Sequence, residues 1–198
     1  MQNKGSRTKQ DITAKALKIF SVKGYYNTSI GDILEATGLT KGGLYGHFSS
    51  KEALWESAYD EAVKIWGEIV FKDVRGRDNP LERLMCMIEN DMRDYLGKDV
   101  FPGGCFFLNM LVELSGQSES MKSRIWRGLD GFSRLIASCL TEAELKGILK
   151  PGLDHGEISA FIIITLNGAA ALYAATKDPL VWQRTVRQLR CYLDQLKA

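Results

Sequence analysis

Two histidines and four cysteines among 198 residues leave little material for acid–base or metal chemistry. His155 could serve as a base toward Cys105 or Ser159, but no nucleophile elbow, metal-ligand pair or phosphate loop accompanies it. Cys86, Cys105, Cys139 and Cys191 are scattered, with no CxxC pair and no histidine pair beside them, so neither a metal site nor a disulfide scaffold is expected. The chain is therefore not read as an enzyme, and no metal or organic cofactor is expected. Cys105 follows Phe101-Pro-Gly-Gly104 at an expected helix start, where the positive end of the helix dipole would favour a reactive thiolate. The alternative is an inert, buried small hydrophobe, since no Lys, Arg or His lies within four residues of it.

The chemistry that the spacing does support is recognition of a polyanion. Residues 1–51 carry eight Lys and Arg against three Asp and Glu, a balance of +5, while the remainder carries −3. A basic head on an acidic body suggests a nucleic-acid partner for the head. Within it, Thr28 to Phe48 (TSIGDILEATGLTKGGLYGHF) has the form of a helix-turn-helix. Ser29 and Asp32 stand at capping-box spacing, Gly38 stops the short helix that follows, and a second helix begins at Lys41. A major groove about 12 Å wide accepts one such helix. Gly42 and Gly43 cost that helix ~1 kcal/mol each in intrinsic stability, and close approach of its backbone to DNA would explain them.

These residues need a frame to hold them, and the apolar periodicity is helical throughout, with no convincing hairpin or βαβ alternation. The fold class is all-α: an N-terminal three-helix head, residues 6–52, joined to a C-terminal helical body, residues 53–198, about nine helices in all. At 45% hydrophobic and 25% charged residues, a chain of this length can bury roughly 70% of its unfolded surface. Ile12, Ala16, Ile19 and Phe20 make one stripe on a first helix opening near Thr8. Further helices are expected over 41–48, 52–70, 80–96, 105–114, 118–145, 157–176 and 179–196, the last opened by Asp178 and Pro179. Ile158 to Thr176 holds 19 residues without a charge, enough to span a bilayer. Ser159, Thr165, Asn167 and Gly168 interrupt it, and it is read instead as a buried interface helix. Val186, Leu189, Leu193 and Leu196 form a seam suited to a partner helix, so the last two helices are expected to build a homodimer. The alternative is that they finish the core of a single chain. The polar stretch from Met1 to Asp11 has no signal-peptide core, which fits a cytoplasmic protein without a membrane association.

From Ile12 to Leu54 the chain resembles the DNA-binding head of the TetR family of bacterial transcriptional regulators. The likeness lies in Ile12, Ala16, Leu17, Ile19, Phe20, Gly24 and Tyr25, then Ile33, Thr37-Gly38-Leu39, Lys41-Gly42, Leu44-Tyr45, His47-Phe48 and Ser50-Lys51-Glu52-Ala53-Leu54. The resemblance implies that Lys41 and Gly42 open the recognition helix and contact bases or phosphates. It also implies that Tyr45, His47 and Lys51 reach phosphates, and that Thr28 and Ser29 face one at a helix N-terminus. Each has a plainer reading: Ser29 and Thr40 as helix caps, Tyr45 packed beside Phe48, His47 as a surface histidine. Gly46 departs from the bulkier residue often seen there, leaving fewer side chains to read bases.

For the body, the resemblance implies a pocket whose small-molecule inducer alters the spacing of two heads on an operator in double-stranded DNA. Trp66, Met85, Cys105, Phe106, Met110, Trp126 and Phe132 are the candidate pocket residues. The inducer would be apolar or, if Cys105 is reactive, a thiol reagent. The function expected is a ligand-released repressor. A carrier or scaffold for apolar ligands, without operator specificity, is the second reading, and sequence-specific DNA binding separates the two.

Overall fold

Why the head holds together is plain from its caps and stripes. The structure, a computed structural model, describes residues 4–198. Helix α1 (Lys4–Lys23) begins earlier than Thr8 and buries Ile12, Ala16, Leu17 and Phe20 along one side. Helix α2 (Ile30–Thr37) starts at a complete capping box: Ser29 Oγ accepts from Asp32 N at 3.1 Å, and the Asp32 carboxylate accepts from Ser29 N at 2.7 Å. Gly38, at φ 70°, ends it in the left-handed region where glycine carries no penalty. Helix α3 (Lys41–Tyr45) stops short of the expected Phe48 because Gly42, Gly43 and Gly46 give it little intrinsic stability. His47 and Phe48 instead close a turn on the Leu44 carbonyl. Helix α4 (Lys51–Val70), capped by Ser50, runs without interruption from the head into the body.

The body follows the expected boundaries to within a residue or two, with one departure. Helix α5 (Pro80–Glu89), capped by Asn79, becomes π-helical over Asn90–Leu96 rather than continuing as α-helix. The wider turn coincides with an anchor: Asn90 Nδ2 donates to the carbonyls of Val70 at 3.1 Å and Lys72 at 2.9 Å, taking up acceptors left at the end of α4. It also buries Asp91, Met92, Tyr95 and Leu96. Helices α6 (Phe106–Leu114), α7 (Glu119–Leu145), α8 (His155–Thr176) and α9 (Pro179–Gln195) complete the chain, with α7 packed on α5, α6 and α8. Among the described residues there are nine α-helices and no strand beyond one isolated bridge between Leu149 and Lys197.

The seam on α9 is used differently from the expectation. Leu189 and Leu193 are buried within the chain's own body, and Val186 and Leu196 are half-buried against it, so this seam is not presented to a partner. An uncovered apolar stripe lies on α8. Its inner side, Ile158, Ile162, Leu166, Ala169, Ala170 and Tyr173, belongs to the core, while Phe161, Ile164 and Leu172 face outward at helical spacing. Helix α8 is the one helix among the described residues long and apolar enough to cross a bilayer, and 39% of its most apolar window is already buried within the chain.

Candidate nucleic-acid interface and internal cavity

Helix α3 turns Leu44 inward and leaves Lys41, Gly42 and Tyr45 exposed. Tyr45 is 41% exposed, so it does not pack beneath the helix beside Phe48, which is 4% exposed. His47 is half-buried at the end of the same surface, and Gly43 lies against Thr40, whose Oγ1 accepts from Gly43 N at 3.2 Å. Thr40 is thus the cap of α3. Ser29 is exposed at the start of α2, although its hydroxyl is engaged with Asp32. Lys23 pairs with Asp32 at 2.6 Å, and this contact together with the Ser29 hydrogen bonds holds the Asp32 carboxyl well below its ordinary range.

Two of the expected contact residues are occupied elsewhere. Thr28 is fully buried, and its hydroxyl donates to the Gly24 carbonyl at 2.6 Å, so its side chain builds the turn after α1 rather than facing a phosphate. Lys51 donates to the Thr28 carbonyl at 2.6 Å and lies 4.3 Å from the Tyr25 ring centroid, with burial lowering its pKa. That ammonium locks α4 to the α1–α2 turn.

A cavity of about 120 Å³ lies in the body. Tyr59, Val63 and Trp66 of α4 form one wall, and Asp91 and Tyr95 of the π-helical segment form another. Phe107, Phe132 and Asn167 contribute from α6, α7 and α8. The rings meet edge to face: Trp66 and Phe132 at 5.0 Å, Trp66 and Phe107 at 6.2 Å, Tyr59 and Phe107 at 5.8 Å. Trp66 Nε1 donates to Asp91 Oδ1 at 2.8 Å. Asp91 is 9% exposed, and burial raises its carboxyl pKa to about 6 despite that hydrogen bond.

Of the pocket residues proposed from sequence, Trp66, Cys105 and Phe132 line this cavity. Met85, Phe106 and Met110 are buried elsewhere, Met110 accepting from Trp55 Nε1 at 3.4 Å. Trp126 is 58% exposed on the outer side of α7, because one helical turn cannot direct it and Ile125 to the same face. Cys105 stands at the N-cap position of α6 without a side-chain capping hydrogen bond, and burial outweighs the backbone N–H groups of Leu108 and Phe107 and pushes its thiol up to about 11. A thiolate at neutral pH is therefore disfavoured there.

The body also grips the head directly. The Glu113 carboxylate on α6 accepts from Tyr25 N at 2.9 Å and from Tyr26 N at 2.8 Å, both in the turn after α1. Gly103 lies so close to α1 that a Cβ there would run into the Ser21 carbonyl.

Residues 12–58 match the family described as bacterial regulatory proteins, tetR family, and residues 80–189 match a tetracyclin repressor-like C-terminal domain. The chain belongs to the TetR family of bacterial transcriptional regulators. It is 31% identical over 173 residues to an uncharacterized HTH-type transcriptional regulator in the lacX 3′ region of Lactococcus lactis subsp. lactis, covering 86% of this chain and 85% of the relative. It is 26% identical to the HTH-type transcriptional repressor ComR of Escherichia coli K12, covering 78% and 73%. A TetR transcriptional regulator from Chloroflexus aurantiacus J-10-FL superposes with a TM-score of 0.93 at 28% identity, covering 99% of this chain and 98% of that one.

Within this TetR-family chain, Asp91, Glu113 and Gly103 escaped the sequence reading. Asp91 sits in what looks like one amphipathic helix over 80–96, where an aspartate is ordinarily a solvated residue. Glu113, in Phe-Phe-Leu-Asn-Met-Leu-Val-Glu-Leu, is the one charge in an apolar helix, and that isolation was the available signal.

Proposed function

We propose that this chain is a homodimeric repressor that binds a two-fold symmetric DNA operator through α2 and α3 and releases it when a small molecule fills the body cavity. The observation that carries the reading is the course of α4. At its first residue Lys51 ties it to the α1–α2 turn, at Trp55 it enters the buried core beneath α1, and at Tyr59, Val63 and Trp66 it walls the cavity. One rigid element thus touches both sites, which is what a coupling free energy between them requires. Glu113 supplies a second link, since α6 bears Phe107 at the cavity and grips the head at its other end. An inducer displaces the operator to the extent that it prefers the conformation that fits DNA less well.

The division of labour falls at 6–52 for DNA and 53–198 for ligand and partner, a boundary lying inside α4. Lys41, Gly42, Tyr45 and His47 are the direct contacts, with Gly43 permitting close approach and Ser29 offering the N-terminus of α2 to a phosphate. The outward stripe of α8, Phe161, Ile164 and Leu172, covers itself against the same stripe of a second copy. Such a regulator works in the cytoplasm, where its operator is. Selection of bound sequences from a random DNA pool tests the reading. A two-fold symmetric site is expected, with half-sites about one helical turn or a multiple apart. Salt-sensitive binding without an enriched sequence would instead favour the carrier.

A further inference from the structure

The cavity is apolar and aromatic, yet one carboxyl group is built into it. Asp91 lies at its wall, nine-tenths buried, and its single hydrogen bond among the described residues is the one from Trp66 to Oδ1. No ion pair reaches it among those residues, and no Lys, Arg or His lines the cavity. The other polar groups are largely engaged within the chain: Tyr59 Oη donates to the Arg124 carbonyl at 3.3 Å, Tyr95 Oη donates to Cys105 Sγ at 3.9 Å, and Asn167 Nδ2 donates one of its two N–H groups to the Ile163 carbonyl at 2.8 Å. The polar capacity left over is the second Asp91 oxygen, the Asn167 amide oxygen and one Asn167 N–H, in a wall otherwise made largely of aromatic rings and aliphatic side chains, and the single formal charge among these groups is the Asp91 carboxylate. An anionic ligand would meet a carboxylate and no counter-charge in such a site. A cation would meet a carboxylate, an amide oxygen and the rings of Trp66 and Phe132.

We propose that the cavity takes a small lipophilic cation, a protonated arylalkylamine whose ring is of benzene size, whose ammonium group pairs with Asp91 while its ring lies among Trp66, Phe107 and Phe132. The size follows from the volume, since a cavity of about this magnitude holds benzene. The raised carboxyl pKa agrees, because a bare carboxylate in this wall is an unmet charge that a bound ammonium neutralises. The proposal rests on the reading of this cavity as the inducer site, and it names the chemistry that the site selects.

Three compounds of one shape test it: 2-phenylethylamine, 2-phenylethanol and phenylacetate, titrated calorimetrically into the full-length protein at about pH 7.5. The amine binds most tightly and phenylacetate least. In Asp91→Asn, which keeps an acceptor for Trp66, the amine loses roughly 10- to 100-fold in affinity, the worth of a hydrogen bond to a charged group, while the alcohol is held as before. Retained alcohol binding shows the cavity intact. An amine that binds no better than its alcohol, or that is unaffected by Asp91→Asn, overturns the proposal. Operator release, measured in parallel on the selected DNA site, separates the two claims. If the alcohol binds and releases DNA while the amine does not, the inducer reading stands and the cation fails. If the amine binds through Asp91 and DNA binding is unchanged, the cation stands and the inducer reading fails.

Discussion

An unfolded aspartate ionises near pH 4, whereas burial against Trp66 raises the Asp91 carboxyl to about 6, so the folded chain holds this proton more tightly than the unfolded one. Stability contributed by the protonated form is therefore full below about pH 4 and is lost as pH rises toward 6. A shift of this size costs about 3 kcal/mol above that window. Tyr59, Tyr95 and Cys105, the titratable groups around the same cavity, are all pushed upward by burial and remain neutral over the range, so Asp91 titrates there without them. Asp91→Asn should stabilise the protein at about pH 7.5 by on the order of 1–3 kcal/mol and have little effect at pH 4, measured by urea unfolding at both. An equal gain at both pH values would detach the effect from ionisation. At the opposite end of the molecule, Tyr45 is exposed and contributes little to the core. Tyr45→Ala should weaken operator binding about tenfold, the worth of a lost phosphate hydrogen bond, and leave the unfolding midpoint within about 1 °C. A large drop in midpoint would make Tyr45 a packing residue. Lys51 differs, because its ammonium holds the Thr28 carbonyl, and removing it loosens the turn as well as any DNA contact.

Among the elements, the helix-turn-helix was legible because its information is local: the capping pair Ser29 and Asp32, the left-handed Gly38 and the cap Thr40 each act within four residues. The π-helical segment was not, since Asn90 is defined by carbonyls at Val70 and Lys72, some twenty residues away in sequence. The same distance hid the cavity. Trp66, Cys105 and Phe132 could be picked as aromatic or sulfur residues, but Met85, Met110 and Trp126 have the same composition and different surroundings, and tertiary packing alone sorts them. Glu113 belongs to this class of long-range information. Its carboxylate receives two backbone N–H groups of the α1–α2 turn, so Glu113→Ala leaves both donors without their partner and frees the head from α6. The variant should fold, with a stability loss of about 1–3 kcal/mol, and should need more inducer to release the same operator. Fluorescence anisotropy of labelled operator against inducer concentration measures this. An unchanged release curve would leave α4 as the sole route between the sites.

For the whole molecule, the surface on which the proposed dimer rests is the outer side of α8. A single head offers one recognition helix and few phosphate contacts, which would leave operator binding weak and barely selective at physiological salt. Two heads on a symmetric dimer double the contacts and add a spacing requirement, and a dimer that neutralises roughly 6 to 10 phosphates loses about 10³ to 10⁵ in affinity between 50 and 200 mM salt. The apolar stripe of Phe161, Ile164 and Leu172 is the surface proposed for that pairing, because Leu189 and Leu193 of α9 are already buried in their own chain. Ile164, 70% exposed, contributes little to the fold of one chain, so Ile164→Glu should leave helix content unchanged. In a two-fold interface the new carboxylates are introduced symmetrically into an apolar contact and are desolvated there without partners. The parent protein is therefore expected to sediment as a dimer and the variant as a monomer. Its affinity for the two-fold site should fall by about the factor that separates specific from non-specific binding, at least roughly 10³, and its salt dependence should be about half as steep. A variant that remains dimeric and binds DNA normally would move the interface off α8 and leave that apolar face without its assigned partner.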